Sequence, residues 1–161
     1  MSNIIIIGFM GSGKSTIGKA LGTELDRLFI DTDSLIEMNV GIDIATLLAQ
    51  YSEDYLREKE AWICSQIASN ISNSIISTGG GFVINTNPRE MGKVVYLKCS
   101  FETIYKRVIN HEHPRPLFRD KNSAYKLYSS RLTLYEKYAD ITVNTDSSID
   151  EAIKRVKDQL L

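Results

Sequence analysis

Short runs of apolar, mostly β-branched residues alternate along this chain with longer stretches whose apolar positions recur at helical spacing. The runs Ile4 to Ile7, Leu28 to Ile30, Ser74 to Ser77, Val94 to Lys98 and Ile141 to Val143 have strand length. Their near-continuous hydrophobicity predicts strands covered on both faces, which means a parallel sheet flanked by helices in an α/β fold. No repeat, low-complexity tract or Pro/Gly-rich linker divides the pattern, so residues 1 to 161 read as one domain. On such a sheet ligands gather at the carboxyl ends of the strands, and the loops there are the places to look for chemistry.

Composition narrows the classes of function. The 19 basic and 20 acidic side chains leave a formal charge of −1 with no long run of one sign, so no electrostatic footprint for nucleic acid or an anionic membrane is present. No apolar stretch approaches the roughly 20 residues of a membrane helix, and the first residues lack a basic, cleavable leader, so a soluble cytoplasmic protein with small-molecule partners is expected. Cys64 and Cys99 lie far apart within regular patterns and read as buried free thiols. His111 and His113 have no third histidine or nearby cysteine, which argues against a metal site there.

The first strand runs into Gly8-Phe9-Met10-Gly11-Ser12-Gly13-Lys14-Ser15-Thr16, a match to G-x-x-x-x-G-K-[ST] placed between a buried strand and a helix start. There Gly11, Ser12 and Gly13 turn backbone N–H groups onto phosphate oxygens, Lys14 adds a full charge, and Ser15 offers a hydroxyl to Mg²⁺. The second run ends in Asp31-Thr32-Asp33. If the segment stays extended the two carboxylates point the same way, one toward the water shell of the metal and the other toward the attacking group, while Asp33 could equally be the N-cap of a helix beginning at Ser34. The third run ends in Ser77-Thr78-Gly79-Gly80-Gly81, either a tight strand exit or a close approach for a ligand, with no acidic residue at its tip. Asp31 is left to do more of the metal work. Arg57 with Glu60, and Arg131 with Tyr135, have the spacing of a helix face whose ordinary explanation is a solvated surface. His111 to Asp120, with two prolines and mixed charge, reads as a mobile loop.

Taken in order, these motifs resemble the shikimate kinase family. The P-loop, the D-T-D at Asp31 to Asp33, Arg57 with Glu60, Gly79 to Gly81, Arg115-Pro116-Leu117 and Arg131 with Tyr135 carry the resemblance, which covers nearly the whole chain. It implies a nucleoside-monophosphate-kinase-like P-loop fold with a five-stranded parallel sheet in the order 2-3-1-4-5, helices on both faces and a mobile lid at about residues 111–121. It also implies transfer of the ATP γ-phosphate to the 3-hydroxyl of shikimate, on the route to chorismate, by a monomer using Mg²⁺.

By the same resemblance, Lys14, Asp33 and Arg115 are catalytic. Gly11, Ser12, Gly13, Lys14, Ser15, Thr16, Arg107 and Arg115 bind ATP. Asp33, Arg57, Glu60, Gly79, Gly80, Gly81 and Arg131 bind shikimate, and Ser15 and Asp31 serve the metal. Two departures stand out. The segment Val143 to Ser147 lacks the arginine and proline that some members place against adenine, and Phe118 replaces a leucine common in the lid, where it is expected to pack the closed form. The rivals are another small P-loop kinase, for sugar acids or nucleotides, and a P-loop switch without turnover.

Overall fold

The computed structural model describes residues 2–110, 118 and 120–160. Among these, five strands form one all-parallel sheet: β1 (Asn3–Ile7), β2 (Leu28–Asp31), β3 (Ser74–Ser77), β4 (Gly92–Lys98) and β5 (Ile141–Asn144). Their order is β2-β3-β1-β4-β5, as the family resemblance implies. Seven α-helices connect or follow them: α1 (Lys14–Glu24), α2 (Thr32–Val40), α3 (Ile44–Gln50), α4 (Glu53–Asn70), α5 (Phe101–Ile109), α6 (Lys121–Tyr138) and α7 (Ile149–Leu160).

The four isoleucines of β1 explain the layering. Successive side chains of a strand point to opposite faces, so Ile5 and Ile7 enter one core and Ile4 and Ile6 the other. The first core takes Ile63 and Ile67 of α4, Ile104 of α5 and Tyr128 and Tyr135 of α6. The second takes Ile17 and Leu21 of α1 and Ile153 and Val156 of α7. All five residues of β1 are buried, as a central strand covered on both faces must be. β2 departs from that expectation: it is an edge strand, and Leu28 at its start is 67% exposed. β4 begins two residues before its apolar run, because Gly92 and Lys93 pair with Asn3 and Ile4.

The amino ends of three strands are tied by one side chain. The Asn3 amide is buried, donates to Ile71 O (2.8 Å) and Met91 O (3.0 Å), and accepts from Ser74 N (3.0 Å). At the opposite edge, where the carboxyl ends lie, Tyr96 of β4 stacks on Tyr135 of α6 with ring centroids 5.2 Å apart, which registers α6 against the sheet. Asn3→Ala should therefore lower unfolding free energy by about 2–3 kcal/mol in urea titrations, because it orphans a buried N–H and two carbonyls. A loss under about 0.5 kcal/mol would show that the tie contributes little.

Candidate functional site

A cleft of about 740 Å³ opens at the carboxyl ends of the strands, within the roughly 300–1,000 Å³ usual for small-molecule sites. It is lined by Met10, Gly11 and Gly13 to Thr16 of the P-loop, Asp31 and Asp33, Thr78 to Gly80, Arg107 and Val108 of α5, and Ile149 of α7. Most of the residues singled out in the sequence thus share one cavity. Ser12 is buried behind it, while Arg57, Glu60, Gly81 and Arg131 form a second, deeper cluster beyond the glycine run.

The P-loop shape follows from its glycines. Gly11 (φ 80°) and Gly13 (φ 95°) take left-handed backbone that costs other residues dearly. Gly13 is the N-cap of α1, no side chain caps that helix, and its first turn carries no acidic residue. The N–H groups of the first turn therefore face the cleft, with the positive end of the helix behind them. Lys14 is buried and donates from Nζ to Phe9 O at 2.9 Å.

Asp31 corrects the sequence reading of the D-T-D segment. The chain turns helical already at Thr32, so the segment is not extended, and Asp31 rather than Asp33 is the N-cap. Its Oδ1 accepts from Asp33 N (3.0 Å) and Ser34 N (3.4 Å), and its Oδ2 accepts from Ser15 Oγ (3.0 Å). One carboxylate thus starts α2 and holds the P-loop hydroxyl. Asp33 sits in the first turn of α2, aimed at the glycine run, where a Cβ on Gly79 would come within 2.6 Å of its Oδ1. Thr32 and Thr78, which sequence reasoning passed over, fix that approach. Thr32 Oγ1 accepts from Gly79 N (3.2 Å), and Thr78 Oγ1 donates to Ile6 O (3.1 Å).

The second cluster overturns the expectation of a solvated helix face. Arg57 and Glu60 on α4 are both buried and joined at 2.6 Å, and Arg57 also reaches the exposed Glu53 at 2.9 Å. Burial holds the Glu60 carboxyl above the usual glutamate range against the pull of Arg57. Burial also opposes the Arg57 charge, but its hydrogen bonds to Glu53 and Glu60 raise its affinity for the proton overall. A Cβ on Gly81 would overlap the Arg57 guanidinium, so a side chain here would displace it from its present place. From α6, Arg131 is buried, with its guanidinium 5.7 Å from the Phe9 ring. One turn later Tyr135 donates its hydroxyl to Gly80 O at 2.5 Å. Burial pushes that phenol up to about 12.

Buried charge gathers at these two places. Among the described residues, Lys14, Arg57 and Arg131 are buried cations and Glu60 is the one buried carboxylate. Arg57 Nε and Arg131 Nε are enclosed without a hydrogen-bond partner. A buried guanidinium edge without a partner is costly unless an anion joins it, so the arginine pair is suited to one anionic group, and the uncapped first turn of α1 is suited to another.

On the far side of the cleft Arg107 donates to Thr145 O (2.7 Å) and Gly11 O (3.4 Å), bridging the P-loop to the segment after β5. Thr145 returns the link by donating to Ser12 O (3.2 Å). Beneath Arg107 the buried Cys99 thiol is pushed up to about 11 by burial, as is Cys64, so both stay neutral. Both cysteines are free. Arg115 and the two histidines lie outside the described residues, as does most of the expected lid. Phe118 is described: it is buried, with its ring 6.3 Å from those of Phe9 and Tyr105. No helix among the described residues is long and apolar enough to cross a membrane.

Comparison with known proteins agrees with this geometry. Residues 10–161 match the family model described as shikimate kinase. A shikimate kinase from Helicobacter hepaticus is 38% identical, with 97% of this chain and 94% of the relative covered. Crystallised shikimate kinase from Bacteroides thetaiotaomicron superposes with a TM-score of 0.89 at 26% identity, covering 99% and 98% of the two chains. That from Acinetobacter baumannii, solved in complex with shikimate, gives 0.88 at 27% identity, covering 99% and 93%.

The double duty of Asp31 is separable by substitution. Asp31→Ala should cost about 1 kcal/mol of stability through loss of the cap, whereas Asp31→Asn, also a good cap, should stay within about 0.5 kcal/mol of the parent in chemical denaturation. Equal losses in both variants would mean that the carboxylate charge, not the cap, stabilises this corner.

Proposed function

The chain belongs to the shikimate kinase family, and on that premise we propose that it transfers the γ-phosphate of ATP to the 3-hydroxyl of shikimate, giving 3-phosphoshikimate and ADP, through the residues assembled around its cleft. The observation that carries the assignment of roles is the buried pair Arg57 and Arg131, each with its Nε enclosed without a hydrogen-bond partner, beside a P-loop helix that no side chain caps. It calls for two anions in adjacent places, which suits a polyphosphate and a small carboxylic acid better than a neutral sugar.

In this reading the N–H groups of Gly11, Ser12, Gly13, Lys14, Ser15 and Thr16 hold the phosphates, and Lys14 leaves the Phe9 carbonyl for the phosphate oxygens. Arg107 and Ile149 flank the base end of the cleft. Arg57 and Arg131 clamp the shikimate carboxylate, Glu60 orients Arg57, and the backbone of Gly79 to Gly81 lets the ring lie against the end of β3. Asp33 accepts hydrogen bonds from the ring hydroxyls and orients or deprotonates the attacking one. Arg115, outside the described residues, supplies the remaining cation, from a lid at about 111–121.

Ser15 and Asp31 fit Mg²⁺ as hard oxygen donors 3.0 Å apart. Among the described residues no group of three or more His, Cys, Asp or Glu could hold a metal, so the pair suits an ion that keeps several waters and takes phosphate oxygens. When bound, Mg²⁺ neutralises charge on the transferring phosphoryl group. A monomer is the working unit of this proposal, and two buried free thiols suit the reducing cytoplasm.

The direct test is ADP release from MgATP with shikimate, gluconate or a nucleoside monophosphate as acceptor. Turnover should depend on shikimate and stop with EDTA; comparable rates with gluconate would favour a sugar-acid kinase. Arg57→Ala should raise KM for shikimate at least about 30-fold, the equivalent of about 2 kcal/mol, with KM for ATP nearly unchanged. Lys14→Met should lower kcat by at least about 10² in a folded protein. A uniform rise in both KM values for Arg57→Ala would point to a folding defect instead of a lost clamp.

A further inference from the structure

The P-loop pattern leaves position 9 open to any residue, yet here Phe9 is one of the most enclosed side chains, at 2% exposed. Its two ends serve different sites. The backbone carbonyl accepts from Lys14 Nζ (2.9 Å) and Ser12 N (3.2 Å), inside the phosphate loop. The ring lies 5.7 Å from the Arg131 guanidinium, in the second cluster. It is held in that attitude by Tyr128, which meets it edge-on at 5.4 Å and 89°, and by Phe118 at 6.3 Å and 64°. Tyr128 is itself fixed, donating its hydroxyl to Cys99 O at 2.9 Å.

Arg131 has few other restraints. Its charge acts on the Tyr135 phenol, its Nε is buried without a partner, and no acidic side chain forms an ion pair with it among the described residues. A guanidinium in this position is steered by the electron-rich face of the ring, an attraction that strengthens when water is excluded, while a carboxylate can still approach its open edge. Arg57 needs no such support, because Glu53 and Glu60 already hold it.

We propose that the Phe9 ring is a positioning residue for the substrate carboxylate, holding the Arg131 guanidinium in the orientation that receives it. The proposal rests on the reading of Arg131 as a carboxylate ligand. It makes the two substrates respond differently to one change, since replacing the side chain leaves the backbone carbonyl beside Lys14 in place.

The experiment is a steady-state double-mutant cycle on the full chain, with Phe9→Leu, Arg131→Met and the double variant, and thermal unfolding to verify each fold. Phe9→Leu should raise KM for shikimate about tenfold, as expected for a lost, desolvated cation–π contact. KM for ATP should stay within about twofold and kcat within about threefold. Added to Arg131→Met, it should raise KM for shikimate by less than about twofold, because the group that it positions is gone. Independent, multiplying effects, or equal damage to both KM values, would overturn the proposal. If Arg131→Met alone left shikimate binding intact, the carboxylate reading would fail, and the proposal with it. Should Phe9→Leu not fold, Phe9→Met fills the same space without a ring and enters the cycle in its place.

Discussion

Enclosing a lysine and two arginines at the carboxyl ends of the strands is the constraint around which this structure is arranged. Each buried ion loses several kcal/mol of hydration, and a fold tolerates that only where the charge is met by fixed dipoles or is awaiting a ligand. Lys14 is met by the Phe9 carbonyl, Arg57 by Glu53 and Glu60, and Arg131 by a phenol and an aromatic face. Both arginines keep an Nε enclosed without a hydrogen-bond partner.

The glycine run at the end of β3 makes the arrangement sterically possible. Side chains at Gly79 and Gly81 would occupy the places of Asp33 Oδ1 and the Arg57 guanidinium, and would move both from the glycine run. Gly80 adds a carbonyl that Tyr135 grips from α6. Three helices therefore meet at three consecutive residues with no side chains. Asp31 joins two elements in a similar way, since it starts α2 with one oxygen and holds Ser15 with the other.

Much of this was legible in the sequence. The strands were, because a central parallel strand must be apolar on both faces, as Ile4 to Ile7 are. So was the P-loop, whose function depends on local backbone geometry. What failed to show was whatever depends on distant partners. Arg57 and Glu60 look like any surface i,i+3 pair until Gly81, far along the chain, brings β3 against them. The helix start slipped by two residues because Asp31 and Asp33 are equally good caps by composition, and only the strand's end at Asp31 decides between them. Exposure of Leu28 follows from β2 lying at the edge, a matter of strand order, which local pattern does not encode. Phe9 escaped notice because its motif assigns that position no role.

The central claim is that the arginine cluster reads a carboxylate. It is tested most directly by giving the unmodified protein shikimate and its methyl ester, which keeps the ring and all three hydroxyls but removes the charge. With two buried guanidiniums left without their anion, kcat/KM for the ester should fall by at least about 10² while ATP binding is unchanged. Turnover of the ester within about fivefold of shikimate would contradict the account.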